Sequence, residues 1–400
     1  MNVFKLIYSR GQQQVLHAAI PFMPYTDPEI LKSTTDVSAY LIKKGISSVL
    51  IVTDKSIHGL GLIDPLKNKL TEDNISFVVY DDTVPNPTIN NVEAARELYL
   101  TNKCEAIIGF GGGSAMDCSK IVGARIARPN KPVMKMKGVF KVLKKTPLLI
   151  AVPTTAGTGS ETTATALINN SDIHFKFTIN DLRLIPDVAV LDPKVTEGLP
   201  GHITSTTGMD ALTHAVEAYI GMSTVKKTRK DALDAVKLIS ENLVLAYEDG
   251  HNMTARQNML LGSYLAGRSF AKSYVGYCHA VAHSLGGAYG TPHGLANAIL
   301  LPHILRGYGS SIYKKAKRLA IAAGIADESM TAKDACEKFI AYIDELNEKM
   351  NIPKTIPALK EEDIFELSKK AEKEANPFYP VPKMLTRDEL EKFYYAVLEK

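Results

Sequence analysis

Short apolar runs recur through the first half of the chain, and each is bounded by turn residues. The five runs are Ser48–Val52, Ile75–Tyr80, Ala106–Phe110, Leu148–Val152 and Val188–Leu191. They are short and rich in valine and isoleucine, which is typical of parallel strands buried on both faces. Helical spacing between some of them, as in Asn91–Asn102, predicts an alternation of strand and helix and therefore an α/β sheet.

The pattern changes after about Gly201, where long helical segments follow one another. They are Ala211–Ile220, Thr228–Tyr247, Thr254–Phe270, Ile312–Ala323, Thr331–Lys349 and Glu361–Glu374. A chain of 400 residues has room for two or three domains of ordinary size. We predict an α/β dinucleotide-binding domain over residues 1–200 and an all-helical domain over residues 201–400, with the boundary near Pro200.

Composition and charge exclude several classes of protein. The net charge is +4, which is too small for a protein that binds nucleic acid or a membrane surface through charge. The four cysteines form no Cys-x-x-Cys pair, which argues against zinc-finger or thioredoxin-like motifs and favours a reducing compartment. The opening residues lack the apolar region of a signal peptide, and no run approaches the ~18 apolar residues of a membrane span. We therefore expect a soluble, cytoplasmic protein.

One segment between the third and fourth apolar runs is strongly basic. Its lysines are Lys131, Lys135, Lys137, Lys141, Lys144 and Lys145. Such a charge pattern favours a solvated surface hairpin, with a docking patch as the alternative.

A glycine-rich turn follows the third apolar run, in the sequence FGGGSAMDCSK from Phe110 to Lys120. Glycines allow the backbone to turn sharply and to approach a ligand closely. The helix predicted after them would direct free N–H groups and a partial positive charge at an anion. The turn matches neither G-x-G-x-x-G nor the Walker pattern, so by itself it indicates either a pyrophosphate site or a tight connection.

A second polar loop, Thr154–Glu161, follows the fourth run, and Asp54 ends the first. Ligands of open α/β sheets bind at the carboxyl ends of strands, where these residues lie. The carboxylate of Asp54 could accept hydrogen bonds from an adenosine ribose and repel a 2′-phosphate. By its position alone, Asp54 is better explained as an ordinary turn residue.

The second half contains a constellation of metal-ligand residues. Asp210 and His214 are four residues apart, as are His279 and His283, and His293 follows. On a helix, residues four apart share one face. A carboxylate with imidazoles suits Fe(II) or Zn(II) better than Ca²⁺ or Mg²⁺. The spacing indicates a metal site without separating His279 from His283 as the ligand.

Four motifs in order resemble the iron-containing (group III) alcohol dehydrogenase family. They are GGGSAMDCSK, PTTAGTGSE, GMDALTHAVEAY and CHAVAHSLGGAYGTPHGLANA. The resemblance extends from about Tyr40 to the C-terminal ANPFYPVPK. It implies the architecture that this family shares with dehydroquinate synthase, with a dinucleotide-binding domain, a helical domain and a cleft between them.

The resemblance also assigns roles to residues. It implies Asp210, His214, His279 and His293 as metal ligands, with His283 as a non-ligand histidine near the substrate. It places Phe270 in the wall of the substrate pocket. The residues that it assigns to the cofactor are Asp54, Asn86, Gly112, Gly113, Ser114, Asp117, Thr154, Thr155, Thr158 and Lys176.

The implied activity is reversible hydride transfer between NAD(H) and a small primary alcohol, aldehyde or diol. The implied metal is Fe(II), with Zn(II) as an alternative, and His283 would relay a proton. We expect a homodimer or larger homo-oligomer, with neither nucleic acid nor membrane as a partner. A dehydroquinate-synthase-like cyclase and a non-catalytic nucleotide-binding scaffold are the rival interpretations. The first forty residues match the family poorly and are expected to form a distinct edge strand or contact.

Overall fold

The structure, a computed structural model, describes residues 3–19, 23–173 and 175–399. The chain divides into two compact units. One is Pro24–Gly198, and the other combines the N-terminal segment Met1–Met23 with Leu199–Lys400. The predicted division at Pro200 differs from this one in assigning the N-terminal segment to the α/β domain.

The described residues of the α/β unit form nine strands in two sheets. The strands are β1 (Glu29–Leu31), β2 (Ser48–Val52), β3 (Ser76–Tyr80), β4 (Ala106–Gly111), β5 (Gly138–Val139), β6 (Leu148–Pro153), β7 (Thr165–Asn170), β8 (Phe175–Asn180) and β9 (Val188–Val190). The large sheet is wholly parallel, in the order β1-β9-β6-β4-β2-β3. The small sheet has the order β5-β8-β7. The five predicted strands are all present in the large sheet.

Side chains of the large sheet alternate between two hydrophobic cores. In β2, Val49 and Ile51 belong to one core, while Leu50 and Val52 belong to the other. The helices of this unit are α2 (Asp36–Lys43), α3 (Lys55–Gly59), α4 (Asp64–Glu72), α5 (Ile89–Thr101) and α6 (Gly113–Ala127). Buried residues of α2 and α4 join the first core, and those of α5 and α6 join the second. Burial of both faces of the sheet explains why the sequences of these strands are continuous apolar runs.

The other unit is helical. Its N-terminal helix is α1 (Val3–Ala19), and its remaining helices are α7 (Gly201–Ile220), α8 (Lys226–Glu248), α9 (Met253–Ser273), α10 (Tyr277–Tyr289), α11 (His293–Tyr308), α12 (Tyr313–Ala322), α13 (Ala332–Lys349), α14 (Ile364–Ala375) and α15 (Arg387–Val397). Helix α7 packs against α8, α9 and α11, and α10 packs against α11 and α14. An α/β unit followed by a helical unit confirms the predicted fold class.

The first forty residues supply both an edge strand and a contact. Strand β1 pairs in parallel with β9 at one edge of the large sheet. Helix α1 instead contacts the C-terminal region of the helical unit. The Arg10 guanidinium donates hydrogen bonds to the carbonyl oxygens of Val381 (2.7 Å) and Pro382 (3.1 Å). These bonds explain why α1 groups with the helical unit.

The basic segment is not a hairpin, so this prediction was wrong. Val133–Met136 forms a 3-10 helix, and β5 follows it and pairs in parallel with β8. The Asp181 carboxylate accepts hydrogen bonds from the N–H groups of Val142 and Leu143. The segment pairs with the distant strand β8 and is held by the Asp181 side chain. Neither contact is the pairing between neighbouring strands that a hairpin requires.

Two further observations bear on the composition argument. All four cysteines are buried and free. Among the described residues, no helix combines the length and the apolar composition needed to cross a lipid bilayer.

A glycine allows α11 to approach α7 closely. A Cβ atom added at Gly294 would lie 2.4 Å from the carbonyl oxygen of Thr206 and 3.4 Å from the Cβ of Asp210. Because the first of these neighbours is backbone, it cannot rotate away. The absence of a side chain at Gly294 therefore sets the distance between His293, the first residue of α11, and α7.

We expect Gly294→Ala to lower the free energy of unfolding of the metal-free protein by about 1–3 kcal/mol, because the added methyl overpacks a close helix contact. The matched control is Gly287→Ala on α10, where a Cβ would meet nothing within 4 Å. That change should stabilise the helix by about 0.5–1 kcal/mol. Urea unfolding of both variants checks the pair, and equal effects would contradict the close-packing argument.

Candidate functional site

Three helices of the helical unit bring four potential metal ligands together. Asp210 and His214 lie one turn apart on α7, His279 lies in the first turn of α10, and His293 begins α11. One ligand atom from each residue lies within 4.8 Å of the others. All are buried except His293, which is half-buried. The structure thus assembles the four residues that the resemblance named and leaves His283 outside the group.

The donor set fits a divalent transition metal. It offers one carboxylate oxygen and three imidazole nitrogens, a combination that suits Fe(II) or Zn(II). His279 Nε2 is buried and has no hydrogen-bond partner among the described residues. Buried polar atoms are rarely left without a partner, and each such exception calls for a reason. A metal ion bound at Nε2 would satisfy this nitrogen.

Burial shifts the pKa values of two of these potential ligands in opposite directions. Desolvation raises the pKa of Asp210, and a neighbouring His214 charge partly opposes that rise. Desolvation lowers the pKa of His279 well below its usual range. Both shifts follow from the cost of placing charge in an apolar interior. Neutral imidazole is the form that binds a metal.

Glu217 on α7 supports this group and was missed in the sequence analysis. Its carboxylate accepts hydrogen bonds from the backbone N–H groups of Gly276 (2.7 Å) and Cys278 (2.8 Å). Its Oε2 also lies 2.6 Å from Nδ1 of His279. Burial raises the pKa of Glu217 to about 7. Glu217 follows Asp210 by seven residues, and residues at that spacing lie on the same helix face. This spacing could have pointed to Glu217 from the sequence.

Asn297 on α11 is a second residue that was missed. It is fully buried, and its Nδ2 donates a 2.7 Å hydrogen bond to Oδ1 of Asp210. The same Nδ2 lies 3.1 Å from Nε2 of His293. The spacing of four residues between His293 and Asn297 predicts a shared helix face, and it could have pointed to this residue.

Phe270 and His283 border the metal-ligand group. The Phe270 ring stacks on His214 with ring centroids 4.1 Å apart and planes 11° apart. The His283 ring stacks on His293 at 5.1 Å and 18°. Nδ1 of His283 lies 2.7 Å from Oε1 of Glu374, and its side chain is 42% exposed. Both residues lie beside the potential ligands, and their roles with substrate stay predictions.

The two predicted nucleotide loops lie against each other in the α/β unit. Thr154 donates a backbone hydrogen bond of 3.0 Å to the carbonyl oxygen of Gly111, at the end of β4. A Cβ at Gly113 would lie 3.2 Å from Cγ2 of Thr158, and one at Gly112 would lie 3.8 Å from Oγ1 of Thr155. Helix α6 begins at Gly113. The predicted strand, glycine turn and helix are therefore all present.

Asp54 also lies at this edge of the sheet. It precedes α3, and its Oδ1 accepts a hydrogen bond from the Ile57 N–H at 3.0 Å. A Cβ at Gly111 would lie 3.7 Å from Oδ2 of Asp54. Asp54 is thus both the turn residue and a carboxylate beside the glycine turn, so the two interpretations of its position are compatible.

Asn86, Ser114 and Lys176 also meet in the α/β unit. The Asn86 N–H donates to Oγ of Ser114 at 3.2 Å, and Nζ of Lys176 donates to Oδ1 of Asn86 at 2.7 Å. Asn86 has a positive φ of 57°, a conformation that asparagine tolerates better than most residues. These contacts connect three separate segments, and binding of a cofactor by these residues stays a prediction.

Asp117 has structural partners within the α/β unit. Its carboxylate accepts hydrogen bonds from Oγ of Ser160 (2.8 Å) and from the N–H of Leu167 (2.9 Å). The fully buried Lys120 donates to the same Ser160 Oγ at 2.8 Å and to Oγ1 of Thr163 at 2.9 Å. This network joins α6 to the second loop and to β7. Contact between Asp117 and a cofactor stays a prediction.

Comparison with known proteins decides the family. A model described as iron-containing alcohol dehydrogenase matches residues 31–193. A model described as the C-terminal part of the Fe-containing alcohol dehydrogenase family matches residues 204–398. The chain belongs to the iron-containing alcohol dehydrogenase family. It is an oxidoreductase of that family, which decides against a dehydroquinate-synthase-like cyclase.

Individual relatives agree with this assignment. The chain is 38% identical to 1,3-propanediol dehydrogenase of Klebsiella pneumoniae over 341 residues, which cover 84% of this chain and 87% of the relative. It is 32% identical to NAD-dependent methanol dehydrogenase of Bacillus methanolicus, with coverage of 84% and 88%. A crystal structure of 1,3-propanediol oxidoreductase superposes with a TM-score of 0.89 at 33% identity, covering 94% of this chain and 99% of the other.

We expect His214→Ala and His293→Ala to lose stoichiometric metal, because each removes one of four ligands whose atoms lie within 4.8 Å. His303→Ala is the matched control, since His303 lies outside this group on α11. Elemental analysis after loading with Fe(II) or Zn(II) and gel filtration measures the occupancy. Full occupancy in both ligand variants would refute the assignment of ligands.

Proposed function

We propose that this protein transfers a hydride reversibly between NAD(H) and a small primary alcohol, its aldehyde or a diol, with a divalent metal at the Asp210–His214–His279–His293 group. The observation that carries the proposal is this buried group of one carboxylate and three imidazoles in a member of the family. One relative is named for NAD and methanol, and another for 1,3-propanediol. These names support the cofactor and a small substrate.

The α/β unit would hold the cofactor. The glycine turn before α6 lets a pyrophosphate approach the first N–H groups of that helix, where the helix dipole favours negative charge. Thr154, Thr155 and Thr158 lie on the adjacent loop and offer hydroxyl groups. The Asp54 carboxylate at the end of β2 would accept hydrogen bonds from the adenosine ribose and repel a 2′-phosphate, which favours NAD over NADP.

The helical unit would hold the metal and the substrate. A bound Fe(II) or Zn(II) would act as a Lewis acid that makes the hydroxyl group of the substrate easier to deprotonate. The Phe270 ring, stacked on His214, would border an apolar space suited to a short carbon chain. His283 would exchange the hydroxyl proton with solvent through Nε2, since its Nδ1 is held against Glu374.

A panel of short alcohols, diols and aldehydes, assayed with NAD(H) after the apo-protein is loaded with Fe(II) or Zn(II), tests the proposal. We expect metal-dependent interconversion of at least one alcohol and its aldehyde, read as NADH absorbance. The apo-protein assayed with a chelator is the control. Absence of turnover with every pair under both metals would contradict the proposed reaction and would favour the nucleotide-binding scaffold.

We expect His283→Ala to keep its metal and to lower kcat, because it removes a proton relay and no ligand. General acid–base groups contribute about 10²–10⁴-fold to rate, and solvent near the half-exposed ring would reduce that loss. His279→Ala is the comparison, because it should lose metal as well as activity. Metal content and kcat are measured for both variants. Metal lost from the His283 variant and kept by the His279 variant would reverse the two roles.

We expect replacement of Asp54 to raise the efficiency with NADP relative to NAD by about tenfold, the factor that corresponds to ~1.4 kcal/mol of repulsion. Asp54→Ser is the sharper change, because serine can still accept the Ile57 N–H at the start of α3. Asp54→Gly removes both the charge and that hydrogen bond. The readout is the ratio of kcat/KM for the two cofactors. An unchanged ratio in both variants would refute the role of Asp54.

A further inference from the structure

We infer that Glu217 is a positioning residue for the metal: its carboxylate selects the tautomer of His279 that presents Nε2 to the ion, and it fixes the first turn of the helix that carries this ligand. The inference rests on the metal site of the proposed function and adds a residue outside the four ligands. Three contacts of one buried side chain support it.

The first contact decides which nitrogen of His279 carries the proton. A neutral imidazole has one N–H, and a hydrogen bond to one nitrogen leaves the lone pair on the other. Oε2 of Glu217 lies 2.6 Å from Nδ1, and both oxygens of this side chain accept backbone N–H groups at the start of α10. Glu217 is therefore the acceptor and Nδ1 donates. Nε2, which is buried without a partner among the described residues, therefore presents its lone pair to the metal.

The other two contacts fix the backbone at the start of α10. Gly276 precedes this helix and has no side chain that could cap it. Glu217, which reaches across from α7, accepts the N–H groups of Gly276 and Cys278 instead. An acceptor with negative charge at a helix start satisfies free N–H groups and opposes the positive end of the helix dipole. His279 follows directly and is held in place with them.

The glycine at 276 is explained by the same carboxylate. Its φ of −131° is open to any residue, so backbone conformation does not require glycine here. A Cβ at this position would lie 2.6 Å from Oε1 and 3.0 Å from Cδ of Glu217. A side chain at 276 would therefore displace the carboxylate from the hydrogen bonds described above.

The decisive variant is Glu217→Gln, which keeps the volume of the side chain but leaves only one accepting oxygen. If the amide N–H₂ faces His279, Nδ1 must accept, and the proton moves to Nε2, where it blocks the metal. If the amide faces Cys278 instead, two donors oppose each other at the start of α10. We expect the dissociation constant for Co(II) to rise by about 10–100-fold, the range for loss of a hydrogen-bond partner of a metal-ligating histidine.

Gly276→Ala is an independent variant, because it shifts the carboxylate without changing its chemistry. It should raise the Co(II) dissociation constant in the same direction. Tyr277→Phe is the matched control. It removes the hydrogen bonds that the Tyr277 hydroxyl makes with Asn376 and Leu385, so it loosens α10 elsewhere while leaving the Glu217 contacts intact. We expect the control to bind Co(II) within about twofold of the parent, because the metal's ligands and their support are unchanged.

The experiment titrates each metal-free protein with Co(II) against a chelator, follows the visible absorbance of the bound ion, and checks folding by circular dichroism. Weaker binding and an altered spectrum in both folded Glu217→Gln and Gly276→Ala, with the control unchanged, support the inference. Unchanged binding in Glu217→Gln, or equal weakening in Tyr277→Phe, overturns it and leaves the proposed reaction intact. A parent that binds no Co(II) overturns both. If the variants bind Co(II) more weakly but the parent turns over no alcohol, the proposed function is contradicted and the inference about Glu217 is supported.

Discussion

Two buried carboxylates on one face of α7, those of Asp210 and Glu217, constrain the rest of the helical unit. A charge in an apolar interior is costly unless hydrogen bonds or an opposite charge compensate for it. Glu217 obtains three N–H donors from the start of α10. Asp210 obtains the Asn297 amide and three imidazoles within reach. The two carboxylates thus connect the first turns of α10 and α11 to α7.

The helix starts create an electrostatic conflict that Glu217 relieves. His279 lies in the first turn of α10, and the amino end of a helix carries a partial positive charge. A divalent cation bound beside that end would be repelled by it. The Glu217 carboxylate lies at this end and accepts its N–H groups, which reduces the repulsion. A neutral residue at 217 would remove this compensation, and an apolar one would remove the hydrogen bonds as well.

The candidate cofactor site in the α/β unit consists largely of backbone groups rather than of charged side chains. Glycines 111–113 bring the end of β4 and the start of α6 close to the Thr154–Thr158 loop. The buried network of Asp117, Lys120 and Ser160 lies behind these loops and fixes α6 against them. Backbone N–H groups at the start of α6 would be offered to a pyrophosphate, while Asp117 and Lys120 hold α6 against the second loop through Ser160. Asp54 is the exception, because its carboxylate accepts an N–H group at the start of α3 and would also accept hydrogen bonds from the ribose.

The fold and the presence of a metal site could be predicted from the sequence because each leaves a local pattern, whereas only the family resemblance separated His279 from His283. Buried strands such as Ala106–Gly111 are apolar throughout, and Asp210 with His214 shows helical spacing in residue types that bind metals. The small sheet, the helix starts at Tyr277 and His293 and the place where α1 docks depend on distant partners, so they were not predicted, although a contact of the first forty residues was expected. Glu217 and Asn297 show the same helical spacing, but glutamate and asparagine are common on helices for many reasons. A ligand must be one of few residue types, whereas its support needs only an acceptor or a donor at the right distance. A residue that supports a ligand can therefore be identified only in the structure, where the helices that it joins are in place.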